Sequence, residues 1–120
     1  MQKYHVLIGF KDIHVKEAKD LILRLQARKR GFSFHALQEL SKEIEAVKIG
    51  RVLKDYSLDF KDCFEIAVLN GRIEKLGFRV KNGYFDVIFI LSSANNIITL
   101  WVNEGKDNHI SLNPAKYCNV

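Results

Sequence analysis

Apolar positions recur every three or four residues through the first half of the chain and every two through the second. Residues 3–10, KYHVLIGF, read as a short strand in which Val6 and Ile8 alternate with His5 and Leu7. Val15, Ala18, Leu21, Ile22 and Leu25 then share one side of a helix expected over 14–29, opposite Lys16, Lys19, Asp20 and Arg24. Gly31, after a basic last turn, is expected as its left-handed cap. Ser33 is placed to cap a second helix over 34–44, with Phe34, Leu37, Leu40, Ser41 and Ile44 as its stripe. A third helix over 45–55 turns Val47, Ile49, Val52 and Leu53 inward and Lys48, Arg51, Lys54 and Asp55 outward, and the same pattern suits one bent helix spanning both.

From about residue 62 the two-residue period predicts four strands, near 63–69, 72–81, 84–92 and 97–103. The breaks are Asn70-Gly71, Asn82-Gly83 and Ser92–Asn96. Asn-Gly favours type I′ hairpins because both central residues take positive φ. Helices first and an antiparallel meander second is the order of an α+β domain: an N-terminal strand and two to three helices packed on a four-stranded sheet. One domain over 1–120 is expected, with helices at 14–55, sheet at 62–103 and a polar tail at 104–120. The pleat sends Leu76, Phe78 and Val80 to one face and Lys75, Arg79 and Lys81 to the other. In the last strand Ile98, Leu100 and Val102 oppose Thr99, Trp101 and Asn103. The expectation is a greasy face under the helices and an open, basic, hydrogen-bonding face with one aromatic.

Composition narrows the class. No apolar run approaches the ~18 residues of a membrane span, and the N-terminus lacks the long apolar centre of a signal peptide, so a cytoplasmic protein with no membrane partner is expected. Two cysteines, Cys63 and Cys118, make no disulfide framework, and no His/Cys spacing suits zinc; neither metal nor cofactor is expected. The chain contains no GxxxxGK[ST], GxGxxG, GxSxG or HExxH, and its acidic residues do not cluster. The net charge is +5, and residues 16–30 concentrate six basic against two acidic side chains, a patch suited to polyanions such as RNA.

His35, at the start of the second helix, and His109, beside Asp107, are the candidate acid and base. Arg51, Lys54 and Arg79 are candidate phosphate contacts, joined by Lys75 and Lys81 on the sheet. Trp101 could stack a base, and Tyr117 could anchor the tail or serve as a site acid. These groups suit metal-independent RNA cleavage, in which a base takes the 2′-hydroxyl proton, cations hold the phosphorane and an acid protonates the leaving oxygen.

Ser33-Phe34-His35-Ala36 at a helix start, followed by a meander, resembles the S-x-H-A helix of small RelE-type and barnase/colicin-like ribonuclease toxin domains. Thr99 to Tyr117, TLWVNEGKDNHISLNPAKY, is similar to the last strand and tail of polymorphic-toxin domains. The resemblance implies a metal-free ribonuclease held by a cognate antitoxin or immunity protein. It implies His35 or His109 as base or acid, Arg79 as phosphate clamp, Thr99 and Asn103 as substrate orienters, and Ser111 in the same site. The arginine such domains carry about four residues after the histidine is absent, position 39 being Glu. The alternatives are a non-enzymatic immunity protein or antitoxin, and a nucleic-acid-binding module that does not cleave.

Overall fold

The computed structural model describes residues 3–6, 12–83 and 85–104. It is an α+β arrangement in the order β1 (Lys3–Val6), α1 (Asp12–Gln26), β2 (Gly31–Phe32), α2 (Phe34–Ser41), α3 (Ala46–Asp55), a 3-10 turn (Phe60–Asp62), β3 (Cys63–Leu69), β4 (Arg72–Asn82), β5 (Phe85–Ser92) and β6 (Asn96–Glu104). The expected four-strand meander forms the centre of the sheet. Two short strands extend it to six, in the order β1-β3-β4-β5-β6-β2, with β1 antiparallel to β3 and β2 parallel to β6.

The turn chemistry behaves as its residues dictate. Asn70 and Gly71 both take positive φ (53° and 79°), the I′ signature expected for Asn-Gly. At the next hairpin Asn82 pairs with Phe85 and so closes the ladder, and Gly83, with φ 66°, opens the two-residue loop. Asn95, at φ 66°, turns the chain between β5 and β6. Its side-chain amide donates to the Lys29 carbonyl (3.0 Å) while its own carbonyl accepts from the Gly31 N–H (2.9 Å). That pairing corrects the role expected of Gly31. The first helix ends at Gln26, and Gly31 starts a strand, where a Cβ would run into the Asn96 side chain.

The second and third helices form as two separate elements, not as one bent helix. Ser33 caps α2 by accepting from the Ala36 N–H (3.0 Å), and its hydroxyl donates to the Ile98 carbonyl (2.8 Å), which clamps the helix start to β6. The core lies between the helices and one sheet face. Ala18, Leu21, Ile22 and Leu25 of α1, Ala36 of α2, and Ile49 and Leu53 of α3 meet Ile66, Leu76, Phe78, Val87, Phe89, Leu91, Ile97 and Leu100. Arg30 donates to the Leu53 carbonyl (2.7 Å) at the end of α3, where a cation suits the helix dipole.

The stripe expected to face inward from α2 and α3 is the main correction. Phe34 is 76% exposed, Leu37 50%, Ile44 100% and Val47 78%. Leu40, Ile49, Val52 and Leu53 do face inward as expected, and Ala36 joins them. Helices of 8 and 10 residues present only two or three positions each to one sheet, so the surplus apolar residues fall on the outer side.

Candidate functional site

The second sheet face is not the open basic surface that the period suggested. Ile88 is fully buried there, with Ala67, Ile90, Glu65 and Asp86 also buried. Strand β5 is covered on both sides from Asp86 to Leu91, the run of apolar residues that a doubly buried strand requires. Arg79 does project from this face, because its neighbours Phe78 and Val80 pack into the core. Its guanidinium is nearly buried against Asp86, with Nε donating to Oδ2 (2.7 Å) and Nη2 contacting the same oxygen. Among the described residues, neither Nη1 nor Nη2, both buried, has a hydrogen-bond partner.

The sheet therefore separates two of the expected site residues. His35 lies on α2, on the helical side, with its side chain 61% exposed, and Nε2 sits 3.7 Å from Glu39 Oε1 one turn on. Arg79 lies on the other side, so the two do not share a site. Thr99, Trp101 and Asn103 are half-buried on the Arg79 face. In register, Arg79 opposes Ile88, which opposes Trp101, so Arg79 and Trp101 are two strands apart, roughly 10 Å at ordinary strand spacing. Asn103 opposes Asp86 directly. Lys75 is half-buried on β4 and Lys81 is exposed. His109, Ser111 and Tyr117 lie outside the described residues. Among the described residues no three His, Cys, Asp or Glu gather as metal ligands, and no helix is long and apolar enough to cross a membrane.

Arg51 and Lys54 are exposed on α3 and line a cavity of about 570 Å³ between α2 and α3. Leu37, Leu40 and Val47 are apolar residues of its lining, which also includes Asp55. Gly50 sits beneath it, where a Cβ would touch Leu40 Cδ2 at 3.4 Å, so the two helices approach closely. Neither Arg51 nor Lys54 forms an ion pair among the described residues. Phe34 and Ile44 add apolar surface on the same two-helix layer. The sequence carried a signal for this surface: more apolar positions on two short helices than one buried side can hold. Contiguous exposed apolar surface of this kind marks an interaction site more often than chance.

A second cavity, about 700 Å³, opens at the start of β3. Lys61, Lys81 and Arg79 reach it together with Phe64 and Val80. Beside it, the Tyr56 hydroxyl donates to Asp62 Oδ2 (2.6 Å). Burial pushes the Tyr56 hydroxyl up from its ordinary pKa, and the Asp62 carboxylate adds to the effect. Burial likewise pushes the Cys63 thiol from 9.0 up to about 12, and the thiol donates to the Glu65 carbonyl (3.3 Å).

The Cys63 shift has a sign that can be measured. The unfolded thiol ionises above about 9, while the native thiol keeps its proton to about 12. Between those values the unfolded state binds fewer protons, so folding stability falls as pH rises, by about 1.4 kcal/mol per pH unit. Urea unfolding at pH 8, 9, 10 and 11 should show this decline, and Cys63→Ala should flatten it; an equal slope in both proteins would refute the assignment.

Comparison with protein-family models, with curated proteins and with solved structures returns no match for this chain.

Proposed function

We propose that the protein works as a protein-binding module, taking an acidic amphipathic helix of a partner chain into the α2–α3 groove. The observation that carries this reading is the exposure of Phe34, Leu37, Ile44 and Val47 beside a groove lined by Arg51 and Lys54. Apolar anchors at helical spacing enter such a groove and give most of the affinity. The two cations, unpaired among the described residues, favour acidic residues on the partner's flanks and speed its encounter. The reading accords with the antitoxin or immunity class rather than with a catalyst, since Arg79 is paired and lies across the sheet from His35.

The test uses two synthetic amphipathic peptides with the same leucine face, one with glutamates and one with lysines on the polar face. Fluorescence anisotropy should show saturable binding of the acidic peptide, weakened roughly tenfold or more by Val47→Asp and reduced by added salt. Val47 is exposed, so thermal unfolding of V47D should stay near wild type. Equal binding of the two peptides, or wild-type affinity in V47D, would refute the module.

A second reading is favoured by the exposed His35–Glu39 pair on the first turns of α2. It is the metal-independent ribonuclease toxin acting on cytoplasmic RNA, with an antitoxin in the same groove. Expression without a partner separates the two readings. Growth and cellular RNA stay intact for a binding module; growth stops for a ribonuclease and returns in His35→Ala.

A further inference from the structure

The sheet has a notch. Strand β3 begins at Cys63, which pairs with Phe78, whereas β4 runs on through Arg79, Val80 and Lys81 to Asn82. Beyond Phe78, β4 is paired only by β5 on its other side, and no described strand fills the missing place. A bulge opens the same corner: Cys63 opposes Phe78 and Glu65 opposes Gly77, so Phe64 is the extra residue. The resulting cavity, about 700 Å³, falls within the range of small-molecule sites.

Its lining is cationic and selective. Lys61 and Lys81 line the cavity and are exposed, and neither forms an ion pair among the described residues. Arg79 also lines it, with its side chain only 9% exposed. Asp86 occupies one edge of the guanidinium, through Nε and Nη2. Nη1 and Nη2 are both buried with no hydrogen-bond partner among the described residues, and of the two only Nη2 is in contact with the Asp86 carboxylate. A buried guanidinium N–H without an acceptor costs about 1–3 kcal/mol unless a ligand supplies one. The carboxylate that also lines the cavity, Asp62, already accepts from Tyr56 and so competes less for the cations. Phe64 and Val80 make the remaining wall apolar.

We propose that this notch binds a phosphate monoester that carries an aromatic or apolar body. The phosphate accepts from Arg79 Nη1 and from Lys61 and Lys81, and the organic body lies against Phe64 and Val80. Arginine suits a phosphate here because its planar fork holds two directions at once, one used by Asp86 and one left for the ligand. The site is independent of the α2–α3 groove, which lies on other elements.

Titration calorimetry with three probes tests it on the full chain: phenyl phosphate, inorganic phosphate and benzyl alcohol. Phenyl phosphate should bind saturably and more tightly than inorganic phosphate, and benzyl alcohol should not bind. The double variant Lys61→Ala/Lys81→Ala should weaken phenyl phosphate roughly tenfold or more with unfolding temperature unchanged, since both residues are exposed. Arg79→Lys keeps the charge but loses the fork, and should weaken binding further. Competition with a short oligoribonucleotide identifies the source of the phosphate: displacement assigns it to an RNA strand and no displacement to a free ester, and both support the site. No saturable binding of phenyl phosphate, or unchanged binding in the double lysine variant, overturns it.

Discussion

Replacing Asp86 with alanine is expected to destabilise the fold by about 3–5 kcal/mol. Asp86 is 2% exposed and holds the Arg79 guanidinium at 2.7 Å on a face where Ile88 and Ala67 are wholly buried. Removing the carboxylate leaves a charged guanidinium among apolar neighbours with both edges unsatisfied. The charge cannot be shed, because arginine stays protonated at any accessible pH. The favourable part of the pair is smaller than this penalty, since both ions were desolvated to form it. The double replacement Arg79→Met/Asp86→Leu should therefore recover most of the loss. Urea unfolding of the two variants measures the comparison. A loss below about 1 kcal/mol in Asp86→Ala would mean that water reaches the pair and that the face is not buried as described.

The second large effect belongs to Phe89. Its ring is fully buried, stacks on Phe78 at 5.4 Å and meets Tyr56 edge-on at 6.1 Å. Tyr56 also meets Phe78 edge-on, at 6.2 Å, so three rings join the end of α3 to the two central strands. Phe89→Ala removes two ring contacts and leaves a cavity that rigid strands on either side cannot close; the expected cost is about 3–5 kcal/mol. Ile44→Ala is the contrast. Ile44 is completely exposed, and its loss should change stability by less than about 0.5 kcal/mol. A Phe89→Ala loss close to that of an exposed site would contradict the three-ring cluster.

These two residues show what a period can and cannot determine. The unbroken apolar run Val87 to Leu91 marks β5 as a strand buried on both sides, with Asp86 and Ser92 as its polar positions. The strand was expected, and so was its hairpin with β4. Its consequence for the second face was not, because a period describes one strand at a time. Once β5 is covered on both sides, a neighbouring basic residue such as Arg79 cannot stay on a free surface, and it takes Asp86 as its partner.

The candidate site divides along the same line. His35 was placed at the start of a helix by the Ser33 cap, which is local chemistry and forms as expected. The union of His35 with Arg79 depended on which side of the sheet the helices cover, and the packing puts them on opposite sides. The exposure of Phe34, Leu37, Ile44 and Val47 departs from the expectation for a related reason. Helical spacing says which residues share a face and does not say which face meets the core. Ala36 and Gly50 decide that, because small residues allow the closest approach to the sheet and to the neighbouring helix.

From its sequence alone the chain determined its local conformations: helices where apolar residues recur by three and four, strands where they alternate, and the type I′ turn at Asn70-Gly71. Each of these follows from φ/ψ preferences and spacing within a few residues. Tertiary structure alone decided the six-strand order, the burial of Arg79 against Asp86, the notch beside β3 and the exposure of Phe34 and Val47. Each of those depends on desolvation by partners distant in sequence, and no local pattern of residues encodes which partners those are.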